Sequence, residues 1–215
     1  MNKKYFGIHR EGWKFFIFFS FFSLFSLLFS SFFFFIFIFL SVFTLWFFRD
    51  PERYFETQDN QLLSAADGKI VFIGEARPPE ETNISYTMKK VSIFMNVFNV
   101  HINRSPVKGK IDNIIYKEGS FLNASLDKAI EKNERSSMII TNSNGIQLVV
   151  VQIAGLIARR ILSFVSDNQH LDQGERYGLI RFGSRVDIYM PLDAILNCKV
   201  GDKVIAGESV LATLN

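Results

Sequence analysis

The chain has 215 residues, a formal net charge of +3 and a single cysteine, Cys198. So small a positive excess gives no reason to expect a nucleic acid as a partner. One cysteine excludes a disulfide framework within the chain and a cysteine-based zinc site, and it agrees with a reducing compartment.

The first element in the chain is an apolar run over residues 15–48, which holds most of the 25 phenylalanines and no charged residue. It is far longer than the apolar core of a signal peptide, about 7–15 residues, and one membrane span needs about 20 apolar residues. The polar pair Ser30-Ser31 lies near its middle, and basic residues flank both ends. Because positive charge favours the cytoplasmic side, we predict a membrane anchor over residues 1–48, with a helical hairpin over 15–48 whose two ends are cytoplasmic. One long tilted helix is the alternative.

Residues 49–215 have an ordinary mixed composition, and about 165 residues can bury the core of one domain. Short apolar runs alternate here with turn sequences such as Asp67-Gly68 and Lys108-Gly109. Strands are predicted at Val91–Met95, Lys110–Tyr116, Ser137–Thr141 and Ile146–Ile153, and a short helix or irregular arm at Phe121–Asn133. The pattern predicts a mainly β (α+β) domain, a compact barrel or sandwich of short strands with Gly-rich turns, preceded by the helical hairpin.

The stretch Gly178–Met190 alternates in polarity. One parity holds Ile180, Phe182, Ser184, Val186, Ile188 and Met190, which are apolar except for the serine. This is the period of a half-buried strand with one inward hydroxyl. Gly183, directly before that serine, indicates a bulge or a bend. Taken alone, the dipeptide is most simply a strand kink with a hydrogen-bonded serine.

The run Val91–Pro106 places polar side chains in an apolar setting. They are Asn96, Asn99, His101, Asn103 and Arg104. A lone histidine there is by default a core histidine bound by the backbone. Asp67 is most simply a turn residue whose carboxylate binds its own backbone. The pair Arg159-Arg160 follows another apolar run and is either a solvated end or a phosphate site.

Taken together, these stretches resemble the phosphatidylserine decarboxylase proenzymes in their short bacterial form. The resemblance extends over nearly the whole chain and runs through Phe48–Arg53, Ser64–Gly68, Phe98–Pro106, Phe121–Ser125, Asn133–Arg135, Ile153–Gly155, Ala158–Arg160 and Arg181–Arg185.

The resemblance implies a precursor that cleaves itself. The hydroxyl of Ser184 would attack the carbonyl of Gly183, and the chain would separate into residues 1–183 (the β chain) and 184–215 (the α chain), which stay together as a heterodimer. Ser184 would become a covalent pyruvoyl group. By the same resemblance and the general logic of a nucleophile, a base and an orienting acid, His101 is the expected base and Asp67 its orienter.

The implied reaction is the conversion of phosphatidylserine to phosphatidylethanolamine and carbon dioxide, by a carboxy-lyase that uses pyruvate as a built-in electron sink in place of pyridoxal phosphate and needs no metal. Arg104, Arg159 and Arg160 are candidates for holding the phosphate of the lipid, because arginine offers a planar fork of donors. The expected location is the cell (inner) membrane, with the catalytic domain on the cytoplasmic face. Homo-oligomer formation stays open.

One departure from the family pattern concerns the base. Longer members carry two histidines close together, whereas His101-Ile-Asn-Arg104 has one, so His101 would serve both self-cleavage and turnover. Two alternatives also stay open. One is the same chemistry on another phosphoserine lipid, such as archaetidylserine. The other is a non-enzymatic, membrane-anchored barrel that acts as an adaptor or carrier, for which Lys69 would be a poor attachment site because an apolar run follows it.

Overall fold

The computed structural model describes residues 4–56, 59–119, 133–155, 160–181 and 184–215. The chain forms two units, Met1–Glu52 and Arg53–Asn215. In the first unit the elements are β1 (Lys4–Tyr5), β2 (Ile8–His9), α1 (Arg10–Ser26) and α2 (Ser31–Phe47). The two short strands pair with each other. The predicted helical hairpin is confirmed, and the alternative of one long helix is wrong.

The serines that interrupt the apolar run lie where the two helices meet. The hydroxyls of Ser20 and Ser41 are 2.7 Å apart, and the Ser23 hydroxyl donates to the Phe34 carbonyl at 3.1 Å. Small residues allow helices to approach closely. Many of the large phenylalanine rings lie away from this contact and are exposed. Within the described residues, no helix combines the length and the apolar character needed to cross a membrane.

The second unit is built almost entirely of strands. Its elements are β3 (Gln61–Leu63), β4 (Gly68–Ala76), a 3-10 helix (Glu80–Thr82), β5 (Met88–Met95), β6 (Ile102–Arg104), β7 (Gly109–Lys117), β8 (Arg135–Asn142), β9 (Gln147–Ala154), β10 (Ile161–Ser163), β11 (His170–Leu171), β12 (Arg176–Ile180), β13 (Ser184–Met190), β14 (Ile195–Leu196), β15 (Lys203–Val204) and β16 (Val210–Thr213).

Eight of these strands form one antiparallel sheet in the order β11-β7-β8-β9-β13-β5-β4-β15. Two three-stranded sheets, β10-β12-β6 and β14-β16-β3, complete the unit, and the large sheet curls into a half barrel. The main core contains residues of the large sheet, such as Ile93 and Ile188, together with residues of the smaller sheets, such as Leu62 and Leu211. The prediction of a mainly β fold is confirmed.

The strands predicted from residues 91–95, 110–116, 137–141 and 146–153 correspond to β5, β7, β8 and β9. The turn between β8 and β9 depends on Gly145, whose φ of 77° is a conformation that glycine adopts without strain. The predicted helix or arm at Phe121–Asn133 falls outside the described residues, except for Asn133.

The stretch Gly178–Met190 is not one strand, contrary to the prediction. β12 ends at Ile180 and β13 begins at Ser184, and the two strands belong to different sheets. The residues of β13 that alternate with Ser184 are also buried, whereas a half-buried strand would expose them. They are Arg185, Asp187 and Tyr189. Alternation identifies the residues that share a face of a strand, but it does not reveal that a second buried cluster covers the other face of this sheet.

Candidate active site

Ser184 is the first residue of β13, at the centre of the large sheet, and its side chain is 0% exposed. It lies opposite Met95 of β5 on one side and Ala154 of β9 on the other. Directly opposite residues of antiparallel strands share a face, and Met95 and Ala154 belong to the main core. The predicted inward orientation is therefore confirmed. Among the described residues the hydroxyl has no hydrogen-bond partner, so the simpler interpretation of a hydrogen-bonded serine is not supported.

Two buried amides connect the strands that flank Ser184. Asn103 of β6 donates to the sulfur of Met95 at 3.6 Å and accepts from the Gln152 side chain at 2.8 Å. Gln152 lies two residues before Ala154 on β9, on the same face of the sheet. The Asn103 amide therefore bridges the strands on either side of Ser184 and brings β6 against the start of β13.

His101 comes directly before β6 and is completely buried. Its Nδ1 lies 2.9 Å from the backbone carbonyl of Asn99. Because a carbonyl oxygen can only accept, this bond places the proton of a neutral imidazole on Nδ1 and leaves Nε2 as the basic nitrogen. The His101 carbonyl accepts from the backbone N–H of Ile180 at 3.4 Å, which ties the histidine to the end of β12, shortly before Ser184.

Two asparagines, Asn96 and Asn99, stabilise the loop that precedes His101. The side chain of Asn99 accepts from the backbone of Asn96 at 2.9 Å, and the side chain of Asn96 accepts from the backbone of Phe98 at 2.8 Å. Asparagine side chains stabilise turns by bonding nearby backbone in this way. The polar residues in this apolar run therefore turn the chain from β5 back toward β6 and set the position of the imidazole.

Asp67 lies just before β4 and is buried. Its Oδ1 accepts from the backbone N–H of Ala206 at 2.8 Å, and its Oδ2 accepts from Arg53 at 3.0 Å. Asp67, which lies in the bend before β4, is therefore bound both to Arg53, 14 residues earlier in the chain, and to Ala206 near its end.

The register of three adjacent strands brings Asp67 and Ser184 to the same end of the sheet. Phe94 of β5 lies opposite Lys69 of β4 and opposite Arg185 of β13. Asp67 lies two residues before Lys69, and Ser184 lies one residue before Arg185. The strands β4 and β13 are separated by two strand spacings, which amount to about 10 Å. Gly68 allows this close packing, because a Cβ atom there would collide with the Phe94 carbonyl. Since His101 follows β5 by one turn, the three predicted residues gather at one end of the sheet.

The arginines proposed for the phosphate have different environments. Arg104 is 5% exposed, and its guanidinium donates to the Gly174 carbonyl at 2.9 Å. Arg160 is exposed, and its carbonyl accepts from the backbone of Arg181. Arg159 lies outside the described residues, as does Gly183.

The opposite face of the sheet carries an ionic cluster that the alternation pattern did not reveal. Arg185 donates to Asp187 at 2.6 Å and to the Ser92 hydroxyl at 2.8 Å, and Lys90 lies 3.9 Å from Asp187. The residue that follows Ser184 is therefore anchored below the sheet, while the serine faces the core. Burial raises the pKa of the neighbouring Tyr189 phenol well above its usual value.

Two further features of the site were also missed. The first is the Asn103–Gln152 amide pair, which the alternation in β9 does not reveal. The sequence signal for it was Gln152, a polar residue at an inward position of that strand. The Arg53–Asp67 pair has no local signal at all. Within the described ranges, no group of three or more His, Cys, Asp or Glu residues could hold a metal ion.

Comparison with known proteins bears on what this arrangement does. A family model described as phosphatidylserine decarboxylase matches residues 40–212. A phosphatidylserine decarboxylase proenzyme of Azorhizobium caulinodans is 48% identical over 206 residues, which cover 95% of this chain and 88% of that protein. A protein of the same description from Xanthobacter autotrophicus is 47% identical over 209 residues, covering 97% of this chain and 89% of that protein. The resemblance indicated by the sequence motifs is confirmed.

Proposed function

Because the chain belongs to the phosphatidylserine decarboxylase family of carboxy-lyases, we propose that it converts phosphatidylserine to phosphatidylethanolamine and carbon dioxide after cutting its own backbone between Gly183 and Ser184. The observation that carries this proposal is the buried Ser184 hydroxyl, which has no partner among the described residues and lies at the sheet end that holds Asp67 and His101. A buried hydroxyl without a partner costs about 1–3 kcal/mol, so its retention there calls for a chemical reason.

Self-cleavage needs only groups of the chain itself. The Ser184 oxygen attacks the carbonyl carbon of Gly183, its proton goes to a base, and the amide nitrogen of Ser184 leaves with a proton, which produces an ester. Removal of the Cα proton of Ser184 then expels the carboxylate of Gly183. Hydrolysis of the resulting enamine releases ammonia and leaves a pyruvoyl group at the start of residues 184–215.

His101 suits the role of the base. Its Nδ1 is occupied by the carbonyl of Asn99, so Nε2 is the nitrogen that can take the proton from the serine and return it to the leaving amine. Asp67, held by Ala206 and Arg53, supplies a fixed negative charge at the same end of the sheet, which favours the imidazolium that forms.

The position of Ser184 also suits a pyruvoyl group. The group would be attached to the backbone nitrogen of Arg185, whose guanidinium is anchored by Asp187 and Ser92, and it would face Met95 and Asn103. A pyruvoyl group supplies a ketone carbonyl that accepts electrons as the carboxylate of the substrate leaves, the role that pyridoxal phosphate has in other decarboxylases. The buried amides would exclude water, and the imidazole would deliver the proton that replaces the carboxylate.

The two fragments are expected to remain one folded unit. Residues 184–215 contain β13, which pairs with β5 and β9 at the centre of the large sheet, together with β15 and β16, which pair with β4 and β3. Cutting the bond before Ser184 leaves all of these ladders intact, which supports a heterodimer of residues 1–183 and 184–215.

The helical hairpin supports a location at a lipid surface. Phe29, Phe32 and Phe35 are 75%, 67% and 66% exposed, and an apolar patch of this kind is rare on a protein that meets only water. We therefore assign residues 1–48 to membrane attachment and residues 49–215 to catalysis. The basic residues on both sides of the hairpin favour the cytoplasmic face of the cell (inner) membrane.

The phosphate of the substrate is unchanged by the reaction and is therefore a suitable group for binding, whereas binding the carboxylate as an anion would oppose its loss. Of the described candidates, the exposure of Arg160 favours it over Arg104, whose guanidinium bonds a backbone carbonyl. We expect Arg160→Ala to raise the KM for lipid about 10-fold, the value of one charge-assisted hydrogen bond, with kcat and self-cleavage retained. Steady-state kinetics in mixed micelles measures this. An unchanged KM would remove Arg160 from the binding site.

The proposed reaction is tested with phosphatidylserine labelled in the serine carboxylate. Purified protein in mixed micelles should release labelled carbon dioxide in equal amounts with phosphatidylethanolamine. Archaetidylserine, with the same headgroup on ether-linked chains, serves as the competing substrate. Turnover of archaetidylserine alone would change the lipid assignment, and release from neither lipid by fully cleaved protein would contradict the proposed activity.

A further inference from the structure

We infer that Arg53 is a positioning residue for Asp67 in self-cleavage and in turnover. The inference rests on the proposed function, because it concerns the acid that would orient the His101 base. The Asp67 carboxylate is held on both oxygens, by Arg53 on one and by the backbone of Ala206 on the other.

The two anchors fix the orientation of the carboxylate. Arg53 Nη2 is 3.0 Å from Oδ2 of Asp67, and the two side chains are only 14% and 12% exposed. The backbone N–H of Ala206 lies 2.8 Å from Oδ1. Because each oxygen has a donor, the plane of the carboxylate is set, and a guanidinium bonded to a carboxylate also stabilises its charge. An aspartate that orients an imidazole requires both properties.

The second ionic partner of Arg53 is weaker. Nη1 lies 3.7 Å from Oε2 of Glu208, whose side chain is 34% exposed. At that distance and exposure, an ion pair contributes little. The main partner of the Arg53 guanidinium is therefore Asp67, and Glu208 provides a matched control, because its removal leaves the Arg53–Asp67 contact in place.

The anchoring also survives cleavage. Arg53 belongs to residues 1–183 and Ala206 to residues 184–215, so both fragments contribute a donor to Asp67. The segment that carries Ala206 is itself fixed to the β chain, because the backbone of Gly207 donates to the Ser64 carbonyl at 2.8 Å. Arg53 can thus act on Asp67 in the precursor and in the mature protein.

The experiment follows the full-length chain during cell-free synthesis, with the fraction cleaved measured over time. Arg53→Met should slow self-cleavage about 10–100-fold, the range found when a residue that orients a metal-binding side chain is lost. Arg53→Lys should restore part of the rate, because it returns the charge without the planar fork. Glu208→Gln should cleave at the wild-type rate. In mature protein, Arg53→Lys should lower kcat with little change in KM.

A double-mutant test separates positioning from folding. If Arg53 acts through Asp67, then Arg53→Met should slow an Asp67→Asn chain no further, whereas a general loss of stability would add to the effect of Asp67→Asn. Normal cleavage of Arg53→Met, equal slowing by Glu208→Gln, or additive effects in the double mutant would each overturn the role of Arg53. A wild-type chain that stays intact would instead contradict the proposed function.

Discussion

Replacing Ser184 with alanine is expected to leave the protein as one 215-residue chain without decarboxylase activity. The substitution removes the only atom that can attack the Gly183 carbonyl in the proposed reaction, and with it the source of the pyruvoyl group. Because the hydroxyl is buried and has no partner among the described residues, its loss should not lower the free energy of unfolding. A buried hydroxyl without a partner costs about 1–3 kcal/mol, so a small gain in stability is expected.

Gel electrophoresis and urea unfolding measure the two effects of Ser184→Ala. The matched control is Ser163→Ala on β10, where the hydroxyl donates to the Val165 carbonyl at 2.9 Å; this variant should cleave and act like the wild type. If Ser184→Ala still separates at the same bond, an external protease makes the cut. An uncleaved but clearly destabilised Ser184→Ala protein would mean that the serine has a structural partner.

The second large effect is expected at the base. His101→Ala should slow self-cleavage by about 10²–10⁴-fold, the usual contribution of a positioned general base. Residual cleavage is expected because the position of Ser184 at the start of β13 is unchanged. Asp67→Asn should produce a smaller loss, because it keeps the shape of the side chain and removes its charge.

His170 provides the control for His101. It lies on β11 at the edge of the large sheet and is exposed, so His170→Ala should leave the rate of cleavage unchanged. Cleavage rates of newly synthesised protein compare the variants directly. Normal processing by both His101→Ala and Asp67→Asn would return these residues to structural roles, with the imidazole as a core histidine bound by Asn99.

Much of the architecture could be predicted from local patterns. The pair Ser30-Ser31 in the phenylalanine-rich run indicated where the helices break, and other serines of the run form the contact between the helices. Asn142 and Gly145 specified the turn between β8 and β9, because few residues besides glycine adopt its backbone conformation. The inward position of Ser184 followed from alternation in a single strand, since that pattern needs no knowledge of neighbouring strands.

Other parts of the site depend on contacts between distant residues. Arg53 and Ala206, which both bind Asp67, come together only when the strands have paired. The period of a half-buried strand gave no indication that Arg185 and Asp187 are both buried in an ionic cluster. A two-residue period separates the faces of a strand but does not state what covers them. Recognising His101 and Asp67 as site residues therefore required the resemblance, and their surroundings required the structure.

The intact mass of purified wild-type protein tests whether the chain builds its own electron sink. Two masses are expected, those of residues 1–183 and 184–215. The smaller fragment should be lighter by one ammonia than a peptide with an amino-terminal serine, and it should resist Edman sequencing until its carbonyl is reductively aminated. A single full-length mass, or a smaller fragment that begins with an intact serine, would contradict the account.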